Sequence, residues 1–134
     1  MRSLYLLGAT GSIGRQVLEV VDAAPDAFRI AVLTADTDVE SMTGLVQKYH
    51  PEFAAMNDVA AAETLAMRFP DLDIGAGKAG LIRAATWNVD DTAGLLVNAI
   101  VGVAGLEPTI AAICGKRSVA LANKETLVVG GTIV

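Results

Sequence analysis

Three glycines near the start of the 134-residue chain form its most chemically informative motif. They stand in the segment Gly8-Ala9-Thr10-Gly11-Ser12-Ile13-Gly14, between a short apolar run and residues with helical spacing. A glycine-rich turn in this context is typical of sites that bind the pyrophosphate of a dinucleotide. We expect Gly8 to permit the tight turn, Gly11 to let the backbone approach the pyrophosphate, and Gly14 to let the helix pack closely on the strand.

Backbone amides after the second glycine are the expected phosphate ligands. The N–H groups of Gly11, Ser12 and Ile13 should lie at a helix N-terminus, where unpaired donors and the positive end of the helix dipole attract phosphate. The hydroxyls of Thr10 and Ser12 can add hydrogen bonds. The alternative is an ordinary strand–helix turn that uses glycine only for its geometry. A P-loop is excluded because no Lys-Ser or Lys-Thr follows the last glycine.

The end of the second predicted strand should distinguish NAD from NADP. An acidic residue there accepts hydrogen bonds from a ribose hydroxyl, whereas a basic residue accommodates the phosphate of NADP. The sequence has Asp36-Thr37-Asp38 at this place, with no Lys or Arg between Arg29 and Lys48. These residue types favour NAD. The alternative is that Asp36 and Asp38 only cap the next helix, since Asp is a preferred N-cap residue.

Two further segments follow predicted strands and are therefore candidates for ligand contacts. In Asn123-Lys124-Glu125, the amide can orient a ribose or nicotinamide, the ammonium can neutralise an anionic substrate, and the carboxylate can fix a hydroxyl or the lysine itself. A solvated helix start is the alternative for this trio. The small residues of 99–105 permit close approach of the backbone to a ligand, or form a plain strand–helix turn.

A scaffold that brings these segments together is predicted by the alternation of apolar runs and helix-spaced apolar positions. Such β-α units imply parallel strands with right-handed crossovers. We therefore predict a single dinucleotide-binding domain over 1–134, with a Rossmann-like, doubly wound α/β fold, a mostly parallel sheet and helices on both faces. The strand 95–101 should be central and 72–74 near an edge. The predicted strands are 4–7, 28–33, 53–56, 72–74, 95–101 and 119–122, and the predicted helices are 13–21, 39–49, 60–69, 81–85 and 108–114.

Composition excludes several classes of protein. A net charge of -5 argues against a nucleic-acid partner, while 53% hydrophobic residues suffice for a two-sided core. Cys114 is the only cysteine, so no internal disulfide can form, which fits a cytoplasmic protein. We find neither a signal peptide nor an apolar run long enough to span a bilayer, so no membrane partner is expected.

Four segments carry a family resemblance. They are Gly8-Ala9-Thr10-Gly11-Ser12-Ile13-Gly14, Pro25 with Phe28-Arg29, Ala99-Ile100-Val101-Gly102, and Leu121-Ala122-Asn123-Lys124-Glu125-Thr126-Leu127-Val128. Together they resemble the 1-deoxy-D-xylulose 5-phosphate reductoisomerase family, over essentially the whole chain. The Leu-Ala-Asn-Lys-Glu segment joined to this glycine pattern is not a generic feature of dinucleotide-binding folds.

The resemblance implies an enzyme of non-mevalonate isoprenoid biosynthesis. That family rearranges the phosphorylated sugar 1-deoxy-D-xylulose 5-phosphate and reduces the product with NADPH to 2-C-methyl-D-erythritol 4-phosphate. A divalent metal, Mg or Mn, binds the substrate oxygens, and we expect the full-length enzyme to be a homodimer. By matching position, Lys124 would contact the substrate. The residues that would hold the cofactor are Thr10, Gly11, Ser12, Ile13, Asn123 and Glu125.

Two departures from the family limit what the resemblance implies. The family usually has a Gly-(Lys, Arg or Ser)-Asn segment where this chain has Asp36-Thr37-Asp38, so NADP(H) is implied but Asp36 leaves NAD open. The family's metal ligands and substrate phosphate pocket lie beyond the Asn-Lys-Glu segment, in a second domain that nothing here matches. We therefore expect an N-terminal cofactor domain that is inactive alone.

Two other functions are compatible with the glycine turn. One is a stand-alone dinucleotide sensor without catalysis. The other is an oxidoreductase with a similar Gly-Ala-Thr-Gly turn, such as aspartate-semialdehyde dehydrogenase. The latter class usually needs a catalytic cysteine, and Cys114 falls on a predicted helix away from the expected cleft.

Overall fold

Strands and helices alternate along the chain in the computed structural model, which describes residues 2–88, 94–100, 106–114 and 118–121. The elements are β1 (Arg2–Leu7), α1 (Ser12–Ala23), β2 (Phe28–Ala35), α2 (Val39–Tyr49), β3 (Phe53–Met56), α3 (Val59–Arg68), β4 (Asp73–Ala76), α4 (Gly77–Ala85), β5 (Leu95–Asn98), α5 (Leu106–Cys114) and β6 (Ser118–Leu121).

The six described strands form one parallel sheet in the order β4-β3-β2-β1-β5-β6. The chain builds outward from β1 to β4 and then crosses back to place β5 on the other side of β1. The predicted α/β class is confirmed, and β4 lies at an edge as predicted. The strand predicted at 95–101 is interior, between β1 and β6, but ends at Asn98.

Helices cover both faces of the sheet, as the sequence predicts. On one face, Leu18 of α1, Met42 of α2 and Leu65 of α3 pack in a cluster with Leu6 of β1. On the other face, α4 and α5 cover a second cluster, which contains Tyr5, Leu7, Phe53, Leu81, Ala84 and Ala112. Burial on both faces explains why the inner strands are almost continuously apolar, whereas the edge strands β4 and β6 carry exposed residues.

Three helices end two residues before a proline. The last helical residues are Ala23, Tyr49 and Arg68, and Pro25, Pro51 and Pro70 follow them. The residue before a proline is disfavoured in the helical conformation, so each helix ends before it. None of the helices in the described ranges is long and apolar enough to cross a membrane.

Candidate cofactor-binding cleft

A cleft of about 260 Å³ opens at the carboxyl ends of β1, β2, β3 and β5. It spans the point where the strand order reverses, between β1 and β5, which is where open α/β sheets bind ligands. Most of its lining comes from residues at or just after the strand ends. The lining residues are Gly8, Thr10, Gly11, Thr34, Ala35, Asp36, Asn57, Leu81, Ala99 and Ile100.

Gly8 fixes the tight turn after β1. Its φ is +81°, a left-handed conformation that side chains disfavour, and a Cβ there would lie 2.9 Å from the carbonyl carbon and oxygen of Ala99. Its N–H donates to the buried Thr34 hydroxyl at 3.1 Å, and the Ala9 N–H donates to the Thr34 carbonyl at 2.8 Å. The turn is therefore held by both neighbouring strands, β2 and β5.

Gly14 and Gly11 differ in what surrounds them. A Cβ at the buried Gly14 would lie 2.1 Å from the Gly8 carbonyl oxygen, so only glycine lets α1 pack this closely on the turn. Among the described residues, a Cβ at Gly11 would meet only the Gly8 oxygen, at an ordinary 3.7 Å. Gly11 is exposed and lines the cleft, so the protein itself does not require the missing side chain. A side chain at Gly11 would therefore occupy space in the cleft.

The N-terminus of α1 has no side-chain cap among the described residues. Gly11 is the N-cap in an extended conformation, and the first turn holds no acidic residue. By contrast, Asp38 caps α2 by accepting from the Ser41 N–H at 3.0 Å, and Asp58 caps α3 in the same way. The first-turn donors of α1, including those of Ser12 and Ile13, are thus left for an anionic ligand.

The two aspartates after β2 have separate roles. Asp36 lines the cleft, and its Oδ1 accepts a hydrogen bond from Asn57 Nδ2 at 3.1 Å. Asp38 is the α2 cap, and hydrogen bonds from the Ser41 hydroxyl and N–H hold the pKa of its carboxyl below the usual value. Thr37 between them is exposed and does not line the cleft. The capping alternative is therefore right for Asp38 and wrong for Asp36.

Asn98 holds the other wall of the cleft in place. This fully buried side chain ends β5, and its Nδ2 donates to the Thr109 hydroxyl of α5 at 2.5 Å. Its Oδ1 accepts from the Ile100 N–H at 3.0 Å, while the Ala99 N–H donates to the Leu7 carbonyl at 2.9 Å. These bonds fix Ala99 and Ile100 where they line the cleft.

A model of the 1-deoxy-D-xylulose 5-phosphate reductoisomerase family matches residues 4–131. The chain belongs to this family. It is 43% identical over 129 residues to the 1-deoxy-D-xylulose 5-phosphate reductoisomerase of Thermomicrobium roseum, covering 96% of this chain and 32% of the relative.

Solved reductoisomerase structures share the fold. One from Zymomonas mobilis, in complex with NADPH, matches with a TM-score of 0.86 and 33% identity, covering 98% of this chain and 35% of that one. Another, in complex with NADPH, fosmidomycin and magnesium, matches with a TM-score of 0.88 and 36% identity, covering 98% and 32%. The chain thus spans about a third of the length of the relatives it matches.

The structure brings together part of the site that the sequence and the family resemblance predict. Gly8, Thr10, Gly11 and Asp36 line one cleft. Ser12 and Ile13 form the adjoining first turn of α1, whereas Gly14 is buried beneath it. The family's Asn123, Lys124 and Glu125 lie outside the described residues, as do 101–105, and their contacts stay predictions. Within the described ranges, no three or more His, Cys, Asp or Glu side chains are grouped so that they could hold a metal ion.

Sequence reasoning missed four residues of this region: Thr34, Asn57, Leu81 and Asn98. A signal existed for three of them. Thr34 and Asn98 interrupt apolar strands, and buried polar residues there need specific partners. Asn57 directly follows β3, just as Asp36 follows β2. For Leu81 there was no local signal, because its position depends on how α4 crosses the sheet.

Thr34→Val should loosen the turn, because it leaves the Gly8 N–H without its hydroxyl acceptor. We expect a loss of about 2 kcal/mol in the free energy of unfolding, measured by urea denaturation. Thr34→Ser keeps the hydroxyl and removes one methyl, so its free energy of unfolding should fall by only about 0.8 kcal/mol. A loss in Thr34→Val no larger than that in Thr34→Ser would show that the hydroxyl contributes no more to the turn than the methyl does.

Proposed function

We propose that residues 1–134 form the NADP(H)-binding domain of a longer enzyme, one that isomerises and reduces 1-deoxy-D-xylulose 5-phosphate to 2-C-methyl-D-erythritol 4-phosphate. The observation that carries this proposal is the uncapped N-terminus of α1, which opens beside Gly11 into the cleft between β1 and β5. The membership of the family and the NADPH complexes of its relatives support it.

The pyrophosphate would lie against the first turn of α1. There the N–H groups of Ser12 and Ile13 lie at the positive end of the helix dipole, and the bare Cα of Gly11 leaves room for close approach. The Gly11 N–H, which donates to the Gly8 carbonyl at a long 3.4 Å, would turn to the pyrophosphate as a third donor. The Thr10 hydroxyl stands at the same wall as a further donor. Backbone donors suit this task because they hold an anion without a basic surface, in keeping with the chain's net charge of -5.

The two halves of the dinucleotide would extend to opposite sides of this turn. Asp36, oriented by Asn57, is placed to accept hydrogen bonds from a ribose hydroxyl of the adenosine half. Ala99 and Ile100, fixed by Asn98, would back the nicotinamide half. When bound, NADPH supplies the hydride for the reduction.

Substrate and metal contacts are proposed from the family alone. Lys124 would contact the phosphorylated sugar, and Asn123 and Glu125 the cofactor. In this proposal a divalent metal belongs to a second domain, as the family resemblance implies. We further propose that the full-length enzyme is a cytoplasmic homodimer.

The test is a calorimetric titration of the chain and its Asp36→Gly variant with NADPH and with NADH. A carboxylate a few ångströms from the additional phosphate of NADPH opposes it by roughly 1–4 kcal/mol. Asp36→Gly should therefore bind NADPH about tenfold more tightly or better, and NADH equally or more weakly. Asp26→Gly is the matched control, because Asp26 is exposed just before β2, at the opposite end of the same strand.

Three results would contradict this proposal in different ways. If the unmodified chain binds neither dinucleotide, the cleft is not a cofactor site. If it binds NADH more tightly by about tenfold, or roughly 1.4 kcal/mol, NADP(H) is the wrong cofactor. If Asp36→Gly and Asp26→Gly behave alike, Asp36 does not face the adenosine half.

A further inference from the structure

The segment after β2 poses an electrostatic problem for NADP(H). It carries Asp36 and Asp38 and, from residue 30 to residue 47, no Lys or Arg. NADP differs from NAD by one phosphate on the adenosine ribose, and dinucleotide folds meet that group with a basic residue near this segment. If the chain binds NADP(H), as proposed above, the compensating charge must come from elsewhere.

Arg15 is a positively charged side chain next to the phosphate turn. It lies in the first turn of α1, directly after Gly14, and its Nε donates to the Thr10 carbonyl at 3.0 Å. This bond folds the side chain back towards the phosphate turn instead of letting it extend freely into solvent. Thr10 itself lines the cleft, so the guanidinium is bonded to a residue of the cleft wall, although Arg15 is not one of the lining residues.

The guanidinium also lies within electrostatic reach of the β2–α2 segment. After the hydrogen bonds from Ser41, the positive charge of Arg15 is a further influence that lowers the pKa of Asp38. Arg15 is therefore bonded to the phosphate turn and lies within electrostatic reach of the residues after β2, the two segments that the adenosine ribose of a bound dinucleotide would approach.

The terminal nitrogens of Arg15 are available to a ligand. Several other basic side chains, among them Arg29, Lys48, Arg68 and Arg83, form ion pairs with carboxylates at 2.7 to 3.0 Å. Within the described ranges the Arg15 side chain makes no ion pair, and its one hydrogen bond uses Nε, while the backbone N–H of Arg15 donates to the Gly11 carbonyl at 3.0 Å. A guanidinium held by Nε can still present its two terminal nitrogens to two phosphate oxygens, the bidentate arrangement that arginine favours.

We propose that Arg15 recognises the 2′-phosphate of NADP(H) and thereby replaces the basic residue that the segment after β2 lacks. This inference rests on the proposed function and assigns the cofactor's distinguishing group to α1 rather than to the β2–α2 loop. The guanidinium then offsets part of the repulsion that the carboxylates of Asp36 and Asp38 exert on the phosphate.

The test compares Arg15→Gln, Arg15→Lys and a control in calorimetric titrations with NADPH, NADH, 2′,5′-ADP and 5′-AMP. Arg15→Gln should weaken both 2′-phosphorylated ligands about tenfold to hundredfold, the range of a lost charge-assisted hydrogen bond, and leave NADH and 5′-AMP nearly unchanged. Arg15→Lys keeps the positive charge but loses the two parallel donors of the guanidinium. Its affinity for the 2′-phosphorylated ligands should therefore lie between those of the unmodified chain and Arg15→Gln. Arg29→Gln is the matched control, because it removes the same charge at the start of β2, and it should alter none of the four affinities.

Ionic strength gives a second readout. In the unmodified chain the preference for 2′,5′-ADP over 5′-AMP should shrink as salt is raised, since the exposed guanidinium is screened, whereas in Arg15→Gln it should depend little on salt. Thermal unfolding of each variant checks that the fold is retained.

Two outcomes overturn the inference while leaving the proposed function intact. Equal weakening of NADPH and NADH by Arg15→Gln would show that Arg15 supports the turn through Thr10 or contacts the pyrophosphate. Unchanged affinity for all four ligands would show that Arg15 faces solvent. Failure of the unmodified chain to bind any of them would instead overturn the proposed function, and the inference with it.

Discussion

Gly11→Val should abolish dinucleotide binding while the chain stays folded. The backbone at this residue has φ -76° and ψ 172°, an extended conformation open to any residue. The new Cβ would meet the protein only at 3.7 Å, from the Gly8 oxygen, so the remaining methyls extend into the cleft. They would take the place of the pyrophosphate. We expect affinity for NADPH to fall more than about a hundredfold, or about 2.8 kcal/mol.

The fold should tolerate this change. Valine is a poorer N-cap than glycine, and the difference lowers the free energy of unfolding by about 1 kcal/mol. Calorimetry with NADPH, together with urea denaturation, separates the two effects. Gly11→Ala provides a graded comparison, because its single methyl should weaken binding less than valine does. An unchanged dissociation constant in Gly11→Val would place the pyrophosphate away from the α1 turn.

The start of the fold was predictable because several local signals coincide there. An apolar run, a glycine at a turn, and apolar residues at helical spacing all describe β1, the turn and α1. The limits of β5 were not predictable in this way. The apolar run 95–101 indicates a longer strand. In the structure the Asn98 side chain accepts a hydrogen bond from the Ile100 N–H, and the pairing of β5 with β1 ends at Asn98.

The early start of α4 also depends on tertiary contacts. The sequence predicts that 81–85 lies in a helix, but the structure begins that helix at Gly77. In the structure a Cβ at Gly80 would lie 2.7 Å from the Gly75 carbonyl carbon, so α4 packs directly on β4 at this pair. The glycines mark close packing of a helix on a strand, and no local pattern distinguishes that from a loop.

The candidate site was predictable where its residues come directly after a strand. Gly8 and Gly11 were assigned to the site from the glycine pattern between a strand and a helix, and Asp36 from the rule that the end of the second strand contacts the adenosine ribose. That rule could not separate the roles of Asp36 and Asp38. Which carboxylate faces the cleft and which caps α2 depends on the path of the backbone between β2 and α2. Thr34 was missed for a related reason, because its partner Gly8 is 26 residues away and is set by strand register.

Gly14→Ala should destabilise the chain strongly, although alanine normally favours a helix. Gly44→Ala is the matched comparison, since Gly44 is also inside a helix and a Cβ there meets nothing within 4 Å. Gly44→Ala should raise the free energy of unfolding by about 0.5–1 kcal/mol, because alanine restricts the unfolded chain.

At Gly14 the same methyl meets backbone instead of open space. Its Cβ would lie 2.1 Å from the Gly8 oxygen and 2.9 Å from the Ala9 Cα, neither of which can rotate away. The turn cannot yield easily, because Thr34 and Ala99 hold it from two sides. The helix must therefore shift off the sheet, and we expect the free energy of unfolding to fall by about 3 kcal/mol. Urea denaturation of both variants measures the difference. A stabilisation of Gly14→Ala equal to that of Gly44→Ala would show that α1 does not pack on the turn as closely as the structure places it.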